Sequence, residues 1–206
     1  MTDDEQHERE MSMNAHFCWA LAMWGSAEAA REHSGYIAAS YAYYYSVFHA
    51  TFALITTDHT FHCENMREIK HSKIEAWLRE RLPLKLQRDH ALLRGCREAT
   101  SYLGMGNPAN KLQVVRGHQL LVEPGGDQEP MRFFEAIEEA SHASSRLIHH
   151  VLQELEKHCN SAGWRGPKRG DEQWLEEYLQ EDVLRSIVPR DENGRVILKH
   201  AFSFLR

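Results

Sequence analysis

Residues 36–55, YIAASYAYYYSVFHATFALI, constrain the fold most, because a helix formed from them would be apolar or small on nearly every side. No Gly, Pro or acidic residue interrupts this stretch. At helical spacing, larger apolar residues recur on one side and small residues on another: Ile37, Tyr41, Tyr44, Tyr45, Phe48, Phe52 and Ile55, and Ala39, Ala42, Ser46, Ala50 and Ala53. The pattern predicts a buried central helix. We expect a neighbouring helix to approach it closely on the side with small residues, and the aromatic side to fill a wider gap between helices.

Four further stretches show helical periodicity and predict helices that cover the central one. They span residues 14–33 with Asn14 as the N-cap, 65–82 ended by Pro83, 87–103 ended at Gly104, and 131–158. Because the remaining connections within the bundle are short, we predict an all-α, up-and-down helical bundle over residues 14–160.

Three segments lie outside these helices. Residues 1–13 read as an acidic N-terminal tail, and residues 104–130 form an insert with five Gly and three Pro. Within the insert, KLQVVRGHQLLVE predicts either a short hairpin or an ordered loop. Residues 161–206 form a C-terminal extension: a linker, GWRGPKRG, then a short acidic amphipathic helix, then VILKHAFSF as a strand or a docking tail.

Composition narrows the class of protein. The chain is 42% hydrophobic and 26% charged, as in globular domains, and lacks an apolar run that could span a membrane. Its acidic start differs from the basic start of a secretory signal, so we expect a cytoplasmic protein without a membrane partner. The four cysteines, Cys18, Cys63, Cys96 and Cys159, form no CxxC pair and predict buried thiols instead of disulfides or a zinc site.

Charge is unevenly distributed along the chain. A net charge of −6 excludes a general polyanion binder. One stretch is nevertheless basic, with Arg79, Arg81, Lys85, Arg88, Arg94 and Arg97 against Glu80 and Asp89. Two interpretations stay open for it: a grip on a phosphate backbone, or an ordinary charged bundle surface.

Fourteen histidines raise the question of a metal. Glu68 and His71, and Glu139 and His142, have the E-x-x-H spacing of di-iron bundles, but such a site needs an acid from each facing helix and residues 36–55 contain none. His59-x2-His62-Cys63-Glu64 lacks closing ligands. We therefore predict no metal and no cofactor, and interpret His49 as a packed, hydrogen-bonded core histidine.

The segment SGYIAASYAYYYSVFHATFALI resembles the most characteristic helix of HEPN domains, which are small helical bundles. The residues that carry the resemblance are Ala39, Tyr41, Tyr44, Tyr45, Phe48, His49 and Ala50. HSKIEAWL at 71–78 and LLRGCREATSYLG at 92–104 are similar to the helices that follow in that family. The resemblance covers residues 14–158 apart from the insert, and implies a HEPN-like bundle.

The resemblance further implies a homodimer that acts on a cognate protein or on RNA, in a prokaryotic toxin–antitoxin or defence system. Active HEPN members are metal-independent ribonucleases with an R-x4-6-H signature. Here Arg97 is followed by Tyr102 in place of that histidine, and a tyrosine is a poor general base at neutral pH. We therefore assign no catalytic residue and predict a nucleic-acid-binding face of Arg88, Arg94, Arg97 and Tyr102.

Two other functions remain open. The first is a ribonuclease in which Arg97 works with a histidine from another helix or protomer; the pairs Arg9–His16 and Arg195–His200 also have the required spacing. The second is a helical adaptor whose acidic segment 171–182 and terminal VILKHAFSF dock a larger assembly.

Overall fold

The computed structural model describes residues 2–60, 71–101, 114–115, 119–122, 131–167 and 173–174. The described elements are mostly helical, which confirms the predicted all-α class. The helices are α1 (Asp3–Glu32), α2 (Tyr36–Thr56), α3 (His71–Arg81), α4 (Leu84–Ser101) and α5 (Phe133–Ala162). The strands are β1 (Val114–Val115), β2 (Gln119–Val122) and β3 (Met131–Arg132). Tyr102, Cys63, Arg195, His200 and most of the predicted C-terminal extension lie outside the described residues.

The four long helices run up and down. Glu28 of α1 meets Tyr43 of α2, whereas Arg9, near the start of α1, meets the end of α2 at Thr56, so this pair is antiparallel. Likewise, Ser40 meets Thr100, near the end of α4. Helices α4 and α5 are antiparallel as well, because their contacts run from Cys96–Ala136 to Asp89–Arg146.

Helix α2 lies at the centre of the bundle, as the sequence predicts, and packs against α1, α4 and α5. The small residues Ala39, Ala50 and Ala53 are fully buried. The predicted inward aromatic side is partly wrong. Tyr44, Phe52 and Ile55 are buried, but Ile37 is 53% exposed and Tyr41 is only half-buried, while Tyr43, which the prediction left out, is fully buried. Tyr43 lies among the small residues because its hydroxyl reaches across to a carboxylate of α1.

That carboxylate, Glu28, joins three helices. Its Oε1 accepts hydrogen bonds from the Tyr43 hydroxyl at 2.6 Å and the Ser141 hydroxyl at 2.5 Å, and its Oε2 accepts from Arg31 at 2.8 Å. Burial acts to raise the pKa of Glu28, but its three donors together lower it. The group therefore stays ionised and ties α1 to α2 and α5.

Helix α1 begins eleven positions earlier than predicted, at Asp3 instead of Asn14. The Thr2 hydroxyl caps it by accepting from the Glu5 N–H at 3.2 Å, and acidic side chains in the first turn complement the helix dipole. The predicted tail is therefore wrong for residues 3–13. Asn14 is fully buried in mid-helix, where its Nδ2 donates to the Arg165 carbonyl at 2.8 Å.

Two predicted boundaries shift for local reasons. Pro83 separates α3 from α4, but α4 begins directly after it at Leu84, because proline suits the position before a first helical turn. Helix α5 begins at Phe133 and not at Met131, since Met131 and Arg132 form β3 and pair with β2. It ends at Ala162, and Gly163 caps it with a φ of 72° in the left-handed region.

The described part of the insert contains short antiparallel pairings. β1 pairs with β2, and β2 pairs with β3, in the order β1-β2-β3. Val122 on β2 is fully buried in the helical core. The strands therefore close one end of the bundle without changing its helical class.

The chain after α5 folds back along α1. The Arg165 N–H donates to Glu10 Oε1 at 2.8 Å, and Gly166 lies against Cys159 and Met13. Trp164 and Pro167 are buried too, so the predicted linker is wrong for residues 164–167. Trp164, Gly166 and Pro167 pack on the bundle instead, while the side chain of Arg165 is exposed.

Candidate nucleic-acid interface

The turn between α3 and α4 carries exposed cations. Gln87 Nε2 closes this turn by donating to the Arg79 carbonyl at 3.0 Å and the Leu82 carbonyl at 2.8 Å. Arg79 lies in the last turn of α3, and Lys85 and Arg88 lie in the first turns of α4. All three cations are exposed. We refer to Arg79, Lys85 and Arg88 as the basic corner.

The basic corner combines a helix start with added cations. Helix N-termini carry a partial positive charge that acidic side chains normally offset, but α4 has no acid in its first turn. Lys85 and Arg88 add further positive charge there. Within the part of the chain that the structure describes, neither residue forms a salt bridge. The corner therefore presents a positive surface on an acidic protein.

The other predicted phosphate-binding residues are differently placed. Arg94 Nη1 pairs with Glu75 Oε2 at 3.2 Å, and the Arg97 guanidinium lies 4.4 Å from the centroid of the Tyr44 ring. Both arginines also approach Glu98, at 3.8 and 3.9 Å. These contacts brace α4 against α2 and α3, and they offset part of the positive charge. Arg88 is the exposed member of the predicted set, and Tyr102 lies outside the described residues.

One histidine that the sequence interpretation did not include lies near the same Tyr44 ring as Arg97. His90, two turns before Arg97 on α4, approaches the Tyr44 ring with a centroid separation of 6.2 Å. Burial lowers the pKa of His90 to about 4; Glu75 opposes this shift, while Arg94 adds to it. His90 is therefore neutral at pH 7. Its helical offset from Arg97 was visible in the sequence, but its position beside Tyr44 depends on how α2 packs on α4.

A cleft of about 920 Å³ opens next to the basic corner. Three parts of the chain form its walls: Leu54 of α2 with residues 57–60 that follow this helix, the end of α3 with the α3–α4 turn, and the last turns of α5. Its titratable lining residues are Asp58, His59, Arg81, His150, Glu154, Lys157 and His158. The sequence suggested His59 as part of a possible metal cluster and His150 with Glu154 as a solvated helix face; it did not show that the two elements form one cleft, because they are far apart in the chain.

Asp58 organises one wall of the cleft. It accepts hydrogen bonds from the Trp77 indole N–H at 3.1 Å and from Thr60, and it pairs with Arg81 at 2.7 Å. Burial acts to raise the pKa of Asp58, but these hydrogen bonds and the Arg81 charge lower it overall. The Arg81 guanidinium also lies 4.9 Å from the centroid of the Trp77 ring, which holds it in place.

The opposite wall contributes histidines. His158 lies edge-on to Trp164, with ring centroids 4.7 Å apart, and 6.2 Å from His59. Burial, followed by the proximity of His59, lowers the pKa of His158. Its Nε2 is buried without a hydrogen-bond partner in the described chain.

The other sequence candidates are separated by the fold. Buried Arg9 donates to the Thr56 carbonyl at 3.1 Å and so caps α2, whereas His16 pairs with His49, with 3.1 Å between their Nδ1 atoms. The prediction that His49 is packed and hydrogen-bonded is confirmed. The Arg9–His16 pair thus forms no shared site.

The metal candidates are separated as well. Glu139 of the one described E-x-x-H pair binds Arg146 at 2.7 Å, and His142 is exposed. Across the described residues, no three His, Cys, Asp or Glu side chains are grouped in a way that could hold a metal ion. Within the same residues, no helix combines the length and apolar character needed to cross a membrane.

Comparison of the chain with protein-family models, with curated proteins and with solved structures finds no match.

Proposed function

We propose that this protein is a non-catalytic, HEPN-like helical protein that binds RNA through the basic corner. The observation that carries the proposal is the grouping of exposed Arg79, Lys85 and Arg88 at a helix start that lacks acids. Cations on a rigid helix turn can neutralise successive phosphates and release their counterions. Arg94 and Arg97 have a bracing role in this proposal, because their guanidinium groups already contact Glu75 and Tyr44.

The local charge supports RNA over an acidic protein surface as the partner. Residues 79–88 contain four bases, Arg79, Arg81, Lys85 and Arg88, and one acid, Glu80, although the whole chain has a net charge of −6. An acidic protein gains attraction to a polyanion only where such a patch concentrates its cations. The resemblance to HEPN domains supports the same direction, since members of that family act on RNA.

Fluorescence anisotropy with a labelled single-stranded RNA, titrated at several salt concentrations, tests this function. Replacing Lys85 and Arg88 by Glu should weaken binding at least about tenfold and reduce the salt slope by about 1.4, because each lost phosphate contact contributes about 0.7. Arg88→Glu and Arg132→Glu form a matched pair, since both replace an exposed arginine with the same change in charge. Only the former should weaken binding. Absence of binding at low salt, or equal effects of the pair, would overturn the proposal.

A metal-independent ribonuclease is a second candidate, and one observation favours it. Arg97 and His90 both approach the Tyr44 ring, so an arginine and a neutral histidine lie in one cluster. Such a pair could stabilise phosphate charge and move a proton. Cleavage of RNA that persists in EDTA and is lost in both Arg97→Ala and His90→Asn would favour the ribonuclease. Intact RNA would favour the binding protein.

A homodimer and a cognate protein partner are compatible with both RNA binding and RNA cleavage. Sedimentation velocity over a range of concentrations tests whether the protein self-associates. Co-purification with the product of a neighbouring reading frame tests for a cognate protein partner.

A further inference from the structure

We propose that the cleft beside the basic corner binds a phosphate monoester of nucleotide size, namely the phosphorylated end of the RNA that the corner holds. This inference rests on the proposed function for the source of the ligand. It does not rest on that function for the chemistry of the cleft.

Size is the first argument. Pockets for small ligands usually measure about 300–1,000 Å³, and this cleft of about 920 Å³ falls within that range. Leu54, Leu82 and Pro83 line it together with the charged groups. An inorganic phosphate would fill only a small part of such a volume. A nucleotide would place its phosphate on the charged wall and its sugar or base on the apolar wall.

Charge is the second argument. The two acids of the cleft are each offset by a cation, Asp58 by Arg81 at 2.7 Å and Glu154 by Lys157 at 2.7 Å. Arginine carries five N–H donors and lysine three, so both cations keep donors for a ligand oxygen. The imidazole rings of His59, His150 and His158 add ring nitrogens that can take part in hydrogen bonds. The lining therefore offers the N–H donors of two cations and no carboxylate without a compensating cation, which suits a phosphate group.

Preorganisation is the third argument. Arg81 is held between the Asp58 carboxylate and the face of Trp77, so little rotamer freedom is lost when it binds a ligand. The His158 ring is fixed edge-on by Trp164. Two of the side chains that line the cleft, Arg81 and His158, are therefore held in place before a ligand arrives.

Continuity with the basic corner is the fourth argument. Arg81 and Pro83 line the cleft and belong to the same turn that carries Arg79 and Lys85. An RNA strand that crosses the corner can therefore place its terminal phosphate in the cleft. A phosphorylated end should then be preferred over an end with a hydroxyl.

Isothermal titration calorimetry with adenosine 5′-monophosphate tests the cleft directly, with adenosine and inorganic phosphate as comparison ligands. We expect the monophosphate to bind and adenosine to fail. Equal binding of adenosine, or absence of any binding, would overturn the proposal.

Matched variants locate the site. Lys157→Ala and Lys73→Ala both remove an exposed lysine, but only Lys157 lines the cleft. Lys157→Ala should weaken binding of the monophosphate about tenfold, the effect expected for one charge-assisted hydrogen bond, whereas Lys73→Ala should leave it unchanged. Equal affinities of the two variants would contradict the assignment.

Paired RNAs separate this inference from the proposed function. A 5′-phosphorylated RNA should bind more tightly than the same RNA with a 5′-hydroxyl, and Lys157→Ala should remove that difference. If both RNAs bind equally and the monophosphate does not bind, the cleft inference falls and the RNA-binding function stands. If the monophosphate binds and neither RNA does, the RNA function and the RNA end as ligand both fall, and the cleft is a site for a free nucleotide.

Discussion

The histidine pair between α1 and α2 should make the protein unstable in mild acid. The His16 and His49 Nδ1 atoms are 3.1 Å apart, so one ring donates a hydrogen bond to the other. Phe52 stacks on His16 with ring centroids 4.1 Å apart, and Trp19 stacks on His49 at 5.8 Å. Burial lowers the pKa of each histidine from 6.5 to about 4, and the proximity of His49 adds to the effect on His16.

The sign of the effect follows from proton binding. Between pH 6.5 and 4, the unfolded chain binds more protons at these positions than the folded chain does, so stability falls as pH falls. One pKa unit corresponds to about 1.4 kcal/mol, which gives about 3 kcal/mol per histidine over the whole window. At pH 5 the expected loss is about 2 kcal/mol per histidine relative to pH 7.5.

His49→Gln isolates this effect, because an amide can still hydrogen-bond to His16 but does not titrate in this range. Urea unfolding followed by circular dichroism at pH 7.5 and pH 5 measures the loss of stability. The variant should lose about 2 kcal/mol less than the wild type. His142→Gln, which replaces an exposed histidine of α5, should behave as the wild type. An equal loss in His49→Gln and the wild type would refute the reasoning.

Three further predictions concern stability, each measured by urea unfolding at pH 7.5. Gly166→Ala should lower the free energy of unfolding by about 2–3 kcal/mol, because the new methyl group would overlap buried atoms. Gly163→Ala should lower it by only about 1–2 kcal/mol, because of the positive φ at this position. A larger loss in Gly163→Ala than in Gly166→Ala would contradict this packing. Arg9→Met should cost about 2 kcal/mol by leaving carbonyls at the end of α2 without their donor, and an unchanged midpoint would count against that role. Glu28→Gln keeps the size of the side chain but loses the charge that its donors stabilise, so we expect a cost of about 2–3 kcal/mol, while a neutral result would show the network to be dispensable.

The proposed sites share one structural basis. The α3–α4 turn contributes its exposed cations to the basic corner and its Arg81 to the cleft. Because Pro83 and the Gln87 hydrogen bonds hold this turn closed, both surfaces keep a constant relation to each other. We therefore expect the free energies of RNA binding at the corner and of phosphate binding in the cleft to add. A single RNA that occupies both sites gains further affinity, because its second contact is intramolecular.

The sequence alone determined the helical class and the position of α2 in the chain. A helix without Gly, Pro or charge over residues 36–55 can be stable only under cover, and local periodicity shows that without reference to its partners. The basic character of residues 79–97 was equally visible. Tertiary structure decided which of those cations remain exposed, because Arg94 and Arg97 meet Glu75 and Tyr44 from other helices.

Only tertiary structure could place the buried polar groups. Asn14 looked like a cap because it precedes an apolar stretch, yet its actual partner is the Arg165 carbonyl, 151 positions away. The cleft combines side chains from Asp58 to His158 in the same way. Helix formation depends on neighbours within about one turn of the chain, which a sequence displays directly. The pairing of polar groups and the shape of a cleft depend on which helices pack together, and that choice is made by the whole core at once.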